Sequence, residues 1–119
     1  MKKWILLIAG AVVFSACSST PEKDSLAWFA DNVPLLAVEK AVAVQDYRVY
    51  AYARRAIVIP SKRFVSVSDV KRYCGLNIVK TLGDVLPKDK ALRELRREAE
   101  DFIKVYNREM LAHCMQRRG

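Results

Sequence analysis

The residues from Lys88 onward constrain the fold most. Leu92, Leu95, Ala99, Phe102, Tyr106 and Met110 recur at three-and-four spacing, which gathers side chains on one stripe of an α-helix. Lys90–Glu94, Arg96–Glu100, Arg97–Asp101 and Glu100–Lys104 stand four apart on the other faces. Such pairs contribute only about 0.2–0.5 kcal/mol each, so the helix persists only if its apolar stripe is buried. The heptad-like pattern lasts about two and a half repeats, too few for a coiled coil. The remaining chain must supply the cover. With 119 residues, 52% of them hydrophobic, it can build one modest core and a single small domain.

Helical periodicity continues upstream. "SLAWFAD" from Ser25 fits one or two helical turns, with Trp28 and Phe29 as buried anchors. The run "DNVPLLAVEKAVAVQDYRVYAYARRA" has Asp31 or Asn32 as N-cap and Pro34 in the first turn, both good helix openers. Leu35, Val38, Val42 and Val49 can share one face, and the whole run is apolar enough for a central, well-covered helix. Residues 56–67 fit either a short β-hairpin, "AIVI-PSKR-FVSV", or a helix end and an irregular loop, because Pro60 blocks a continuous helix. Ser68 with Asp69 opens a further segment interrupted by Gly75 and Gly83 and closed by Pro87. The expected fold is mainly α: three to four helices over residues 25–119, with room for a hairpin near 56–67.

The first residues are of another kind. Residues 4–14, "WILLIAGAVVF", would extend only about 16 Å as a helix, against ~30 Å of bilayer hydrocarbon. Lys2 and Lys3 precede the run and the small residues Ser15 and Ala16 follow it, the parts of an export signal. Plain signal cleavage after Ala16 would set bulky Phe14 where a small residue is wanted. The run Phe14-Ser15-Ala16-Cys17 resembles the lipobox of bacterial lipoproteins, departing from it at Phe14, where the family prefers Leu. The resemblance implies a signal peptide over residues 1–16, cleavage before Cys17, and acylation of that cysteine. One acyl chain binds a membrane marginally, whereas two or three hold it firmly. Ser18 and Ser19, with no Asp directly after Cys17, resemble lipoproteins sent to the outer membrane, so the expected location is its periplasmic face.

Residues 17–24 then form a lipidated tether. The stretch "SSTPEKD", 18–24, is polar and holds Pro21; fully extended it reaches about 24 Å. Export into an oxidising compartment, with Cys17 acylated, leaves Cys74 and Cys114 as an expected disulfide. Their loop of forty positions corresponds to about 4 kcal/mol on the chain-entropy model. Two continuous helices meeting at Pro87 would keep these sulfurs apart. Either the segment around Gly75 and Gly83 is partly extended, or the last helix breaks, near Asn107 for example. The two glycines favour the first.

Loss of Lys2 and Lys3 brings the formal charge of +8 to +6. Most of the excess lies at Arg48, Arg54, Arg55, Lys62, Arg63, Lys71 and Arg72, opposed by Asp69 alone and interleaved with Tyr47, Tyr50, Tyr52, Phe64 and Tyr73. Inside a cell that pattern would suggest nucleic acid; export argues against it. A lipid head group or anionic envelope polymer is the more available ligand. Catalytic signals are sparse: His113 is the single histidine, beside Cys114, and helix neighbours point about 100° apart. No metal-ligand spacing or Gly-rich phosphate loop occurs, and neither cofactor nor catalysis is expected. The favoured reading is a non-enzymatic accessory that docks an envelope protein partner while held to membrane lipid through acylated Cys17. It is similar in size and plan only to pilotins. "AWFADNVP" is more thinly similar to the openings of small exclusion lipoproteins of conjugative elements, whose next cysteines are missing here. The alternative is an anionic-polymer or lipid module using the basic residues between 48 and 72.

Overall fold

The protein, a computed structural model, is described over residues 20–63 and 65–118; the expected signal peptide, Cys17 and Phe64 lie outside the described residues. The chain runs through α1 (Leu26–Asp31), α2 (Pro34–Ala43), β1 (Val49–Ala53), β2 (Ile57–Val58), α3 (Val67–Tyr73), β3 (Leu76–Val79), a 3-10 turn at Lys80–Leu82, and α4 (Lys90–Arg118). The strands lie in the order β2-β1-β3. β1 pairs antiparallel with β2 and parallel with β3. This is a small α+β domain, which corrects the expectation of a mainly helical bundle.

Two segments account for the correction. The run read as one central helix stops at Ala43, where Gln45 turns the chain at φ 60°. It resumes as β1, "VYAYA", buried from Val49 to Tyr52 on both faces; burial between neighbours overrides the helical preference of its alanines. The hairpin forms between β1 and β2, not across 56–67, and Val67 already belongs to α3. The caps shift as well. Ser25 caps α1, while Val33 precedes Pro34 at the start of α2. Asn32, expected as an N-cap, ends α1, its Nδ2 donating to the Trp28 carbonyl at 2.8 Å. Ser66, not Ser68, caps α3.

β2 is short for an identifiable reason. Extending the pairs Tyr52↔Val58 and Ala53↔Ile57 puts Pro60, which has no N–H, opposite Tyr50. The side chain of Asn107, on α4 and fully buried, fills the gap. Its Oδ1 accepts from the Tyr50 N–H at 2.9 Å, and its Nδ2 donates to the Tyr50 carbonyl at 2.8 Å and the Pro60 carbonyl at 3.0 Å.

α4 is unbroken over 29 residues, opened by Asp89, whose carboxylate accepts from the Ala91 N–H at 2.9 Å. Ala99, Phe102, Ile103, Tyr106, Met110 and Cys114 form its buried stripe, laid against α1, α2 and β1. Leu92, counted in that stripe from the sequence, is exposed. Edge-to-face rings bind the layers: Phe29 on Phe102 at 5.1 Å, Phe29 on Tyr50 at 5.3 Å, Tyr50 on Tyr106 at 4.8 Å. Each such pair contributes about 0.5–1.5 kcal/mol beyond area burial.

Cys74 and Cys114 stand as a disulfide pair with Cα atoms 5.6 Å apart, inside the usual span. The route is the extended one, through β3, and α4 needs no break. Gly75 makes it possible: at φ +87° it ends α3, its N–H bonded back to the Val70 carbonyl at 3.0 Å, and sends the chain straight into β3.

Candidate functional site

Helix α2 has two apolar sides. Val38 enters the core, while Val33, Leu36 and Val44 are each more than half exposed. These three, at helical spacings of three and eight, line one wall of a cleft of about 410 Å³. Trp28, Tyr50, Asn77 and Tyr106 also line it. That volume suits a small ligand or a few side chains of a bound segment. The turn after α2 brings Asp46 and Arg48 to the cleft, and Lys23, Asp31 and Lys40 complete its charged lining.

Asp24 joins the N-terminal segment to this site. Its carboxylate accepts from the Tyr50 hydroxyl at 2.6 Å and from Asn77 Nδ2 at 3.1 Å. The expected tether is therefore bound at its last residue, and Lys23 lies 5.4 Å over the Trp28 ring. Any lipid on Cys17 would be attached seven residues from the cleft floor.

Burial, then the hydrogen bond to Asp24, pushes the Tyr50 phenol far above its ordinary range. Burial pushes Tyr106 up to about 12. Both present neutral hydroxyls at physiological pH, unsuited to proton abstraction. At the cleft's end Arg48 grips Asp46 through Nε at 2.9 Å and Nη2 at 3.0 Å. That hydrogen bonding holds the Asp46 carboxyl below its usual value and the Arg48 guanidinium above its own. The cleft is apolar on the α2 side and edged by paired charges.

Of the basic residues singled out in the sequence, two are held apart by β1. Arg48 and Arg54 flank β1 at opposite ends, about 20 Å apart by strand rise. Arg48 is paired with Asp46, and Arg54 donates to Glu100 at 2.9 Å while lying 4.5 Å over the Tyr52 ring. Lys71 and Arg72 sit on α3, Arg72 over the Tyr73 ring at 5.3 Å. Arg55 lies in the β1–β2 turn, and Lys62 and Arg63 follow the turn at Ser61, whose hydroxyl donates to the Lys104 carbonyl at 2.7 Å. His113 is exposed while Cys114 is buried in the disulfide. Among the described residues no group of three His, Cys, Asp or Glu could hold a metal, and no helix is long and apolar enough to cross a membrane.

The cleft itself was not foreseen. The run was read as one central helix covered all round, with Leu35, Val38, Val42 and Val49 on one face, whereas α2 ends at Ala43 and Val33, Leu36 and Val44 are exposed. Comparison with protein-family models, curated proteins and solved structures finds no match.

Proposed function

We propose that the protein is a lipid-anchored docking factor of the bacterial envelope, non-enzymatic, holding an apolar segment of a partner protein in the cleft beside α2. One observation carries this reading: a helix whose second apolar side, Val33, Leu36 and Val44, faces open space above an aromatic floor. An amphipathic helix or an extended segment with two or three apolar anchors is the occupant such a surface fits. Asp24 keeps the site within tether reach of acylated Cys17. The polymer reading finds less support, since the strongest cations are separated along β1 and matched by carboxylates.

The test is a photo-crosslinking residue at Leu36 in intact cells, compared with one at Ile57 on β2. A discrete adduct from Leu36 alone is expected, abolished by Val33→Asp and insensitive to salt, because apolar docking is not screened. Equal labelling from both positions, or an adduct lost in high salt, would count against the cleft.

A further inference from the structure

The N-terminal segment meets the cleft through a bent and lightly held stretch, residues 20–25. Its backbone turns on itself: the Ser25 N–H donates to the Glu22 carbonyl at 3.0 Å, and between them Asp24 stands at φ 67°. That left-handed conformation carries a cost for any L residue, a modest one for Asp. Among the described residues no bond between backbone groups joins this stretch to the sheet. One side chain holds it there. The Asp24 carboxylate, 24% exposed, accepts from the buried Tyr50 hydroxyl on one oxygen at 2.6 Å and from Asn77 Nδ2 on the other at 3.1 Å. Tyr50 and Asn77 stand opposite each other on β1 and β3, so a single carboxylate spans the two strands. Hydrogen bonds to a charged acceptor are the strong kind, which lets so small an attachment hold the turn against its strain.

The same stretch covers part of the cleft. Lys23 lies with Nζ 5.4 Å over the Trp28 ring and 3.4 Å from the Asp24 carboxylate. Lys23 and Trp28 both line the cleft, together with Tyr50 and Asn77. The ammonium therefore sits on an aromatic face that an apolar occupant would otherwise use. Latch and cover are consecutive residues, so releasing Asp24 moves Lys23. Release gives up two hydrogen bonds but returns Asp24 to an ordinary backbone conformation, and it leaves α1, capped by Ser25, in place. Opposed contributions of this kind make a two-state element.

We propose that residues 20–25 are a releasable strap on the cleft, latched by Asp24 to Tyr50 and Asn77, whose release withdraws Lys23 from Trp28 and opens the aromatic floor to an occupant. By linkage, whatever fills that floor favours the released strap to the same extent. The strap's effect on a partner rests on the docking reading of the cleft; its latch and its cover do not.

The test uses the full chain with Trp4→Phe, which leaves Trp28 as the sole indole, in phosphatidylcholine vesicles. Acrylamide quenching of its emission is measured in this parent and in three variants of it. Asp24→Ala removes the latch; Tyr50→Phe removes it from the sheet side and leaves the strap's own sequence intact. Ser61→Ala, the control, loses a side-chain bond elsewhere, to the Lys104 carbonyl. A lost bond to a charged acceptor shifts such an equilibrium roughly tenfold or more, so the quenching constant should rise about twofold or more in both latch variants. Ser61→Ala should match the parent, and far-UV circular dichroism should be the same in all four. Equal quenching in all four overturns the strap. Loss of the far-UV signature in both latch variants also overturns it and makes Asp24 a brace of the fold. A photo-crosslinker at Leu36, compared in wild-type and Asp24→Ala chains in cells, separates this inference from the docking reading. A stronger adduct in Asp24→Ala supports both, and an adduct no stronger than in wild type overturns the strap's control of the cleft. A more exposed Trp28 with no Leu36 adduct in either chain supports the strap and overturns the docking reading alone.

Discussion

Asn107 makes hydrogen bonds that the strand beside it cannot supply, because Pro60 occupies the next ladder position. Replacing it with leucine leaves the Tyr50 N–H and two carbonyls buried and unpaired, each such group costing about 1–3 kcal/mol. We expect Asn107→Leu to lose roughly 3–5 kcal/mol of stability by denaturant titration, a large share of what a small domain has. The buried phenols predict a pH response. Burial raises Tyr50 above its ordinary range, and Tyr52 and Tyr106 to about 12. An acid whose folded-state pKa is raised holds its proton more tightly when native, so its contribution is intact below the unfolded value near 10 and lost as pH rises past it. Stability should fall by about 1.4 kcal/mol per pH unit for each of the three phenols above about pH 10. Denaturant midpoints taken at about pH 9 and pH 11 check this, and Tyr52→Phe should remove its share of the slope. The Tyr52 hydroxyl has no hydrogen-bond partner among the described residues, so that substitution should cost little at neutral pH.

At the scale of elements, the sequence was legible where local signals agreed with burial. α4 announced itself by its apolar stripe, α1 by Ser25 and its paired aromatics, the start of α2 by Pro34, and the pairing of Cys74 with Cys114 by the count of cysteines left once Cys17 is set aside as a lipidation site. β1 was hidden. Its alternating Tyr and Ala, coming directly after an alanine- and valine-rich helix, fit a continued helical face; only neighbours on both sides, β2 and β3, make it a strand. The extended route favoured by Gly75 and Gly83 over a break in α4 near Asn107 is the one the chain takes, whereas the part Asn107 plays as a substitute for a strand residue was not legible. The cleft was invisible for the same reason as β1. It exists because α2 stops at Ala43 and the chain turns at Gln45, and no residue type in that turn requires it. The basic residues were legible as a cluster in sequence, but the strand that separates Arg48 from Arg54 was not.

For the whole molecule, the arrangement has a direction. Asp24 pins the N-terminal segment to β1 and β3, the cleft opens beside that point, and Arg96 holds the Gly83 and Val85 carbonyls ahead of the α4 N-terminal end. The disulfide ties α3 to the other end of α4. A protein tethered in this way would present the cleft close to the bilayer, where a partner segment emerging from the membrane is within reach. The account depends on covalent lipid at Cys17. The most direct measurement is labelling of growing cells with radioactive palmitate, comparing the wild-type chain with Cys17→Ser. Label on the wild-type protein, its absence from the variant, and accumulation of the variant at its unprocessed size are the expected results. An unlabelled wild-type protein, or a variant that matures and fractionates with the membrane unchanged, would contradict the account.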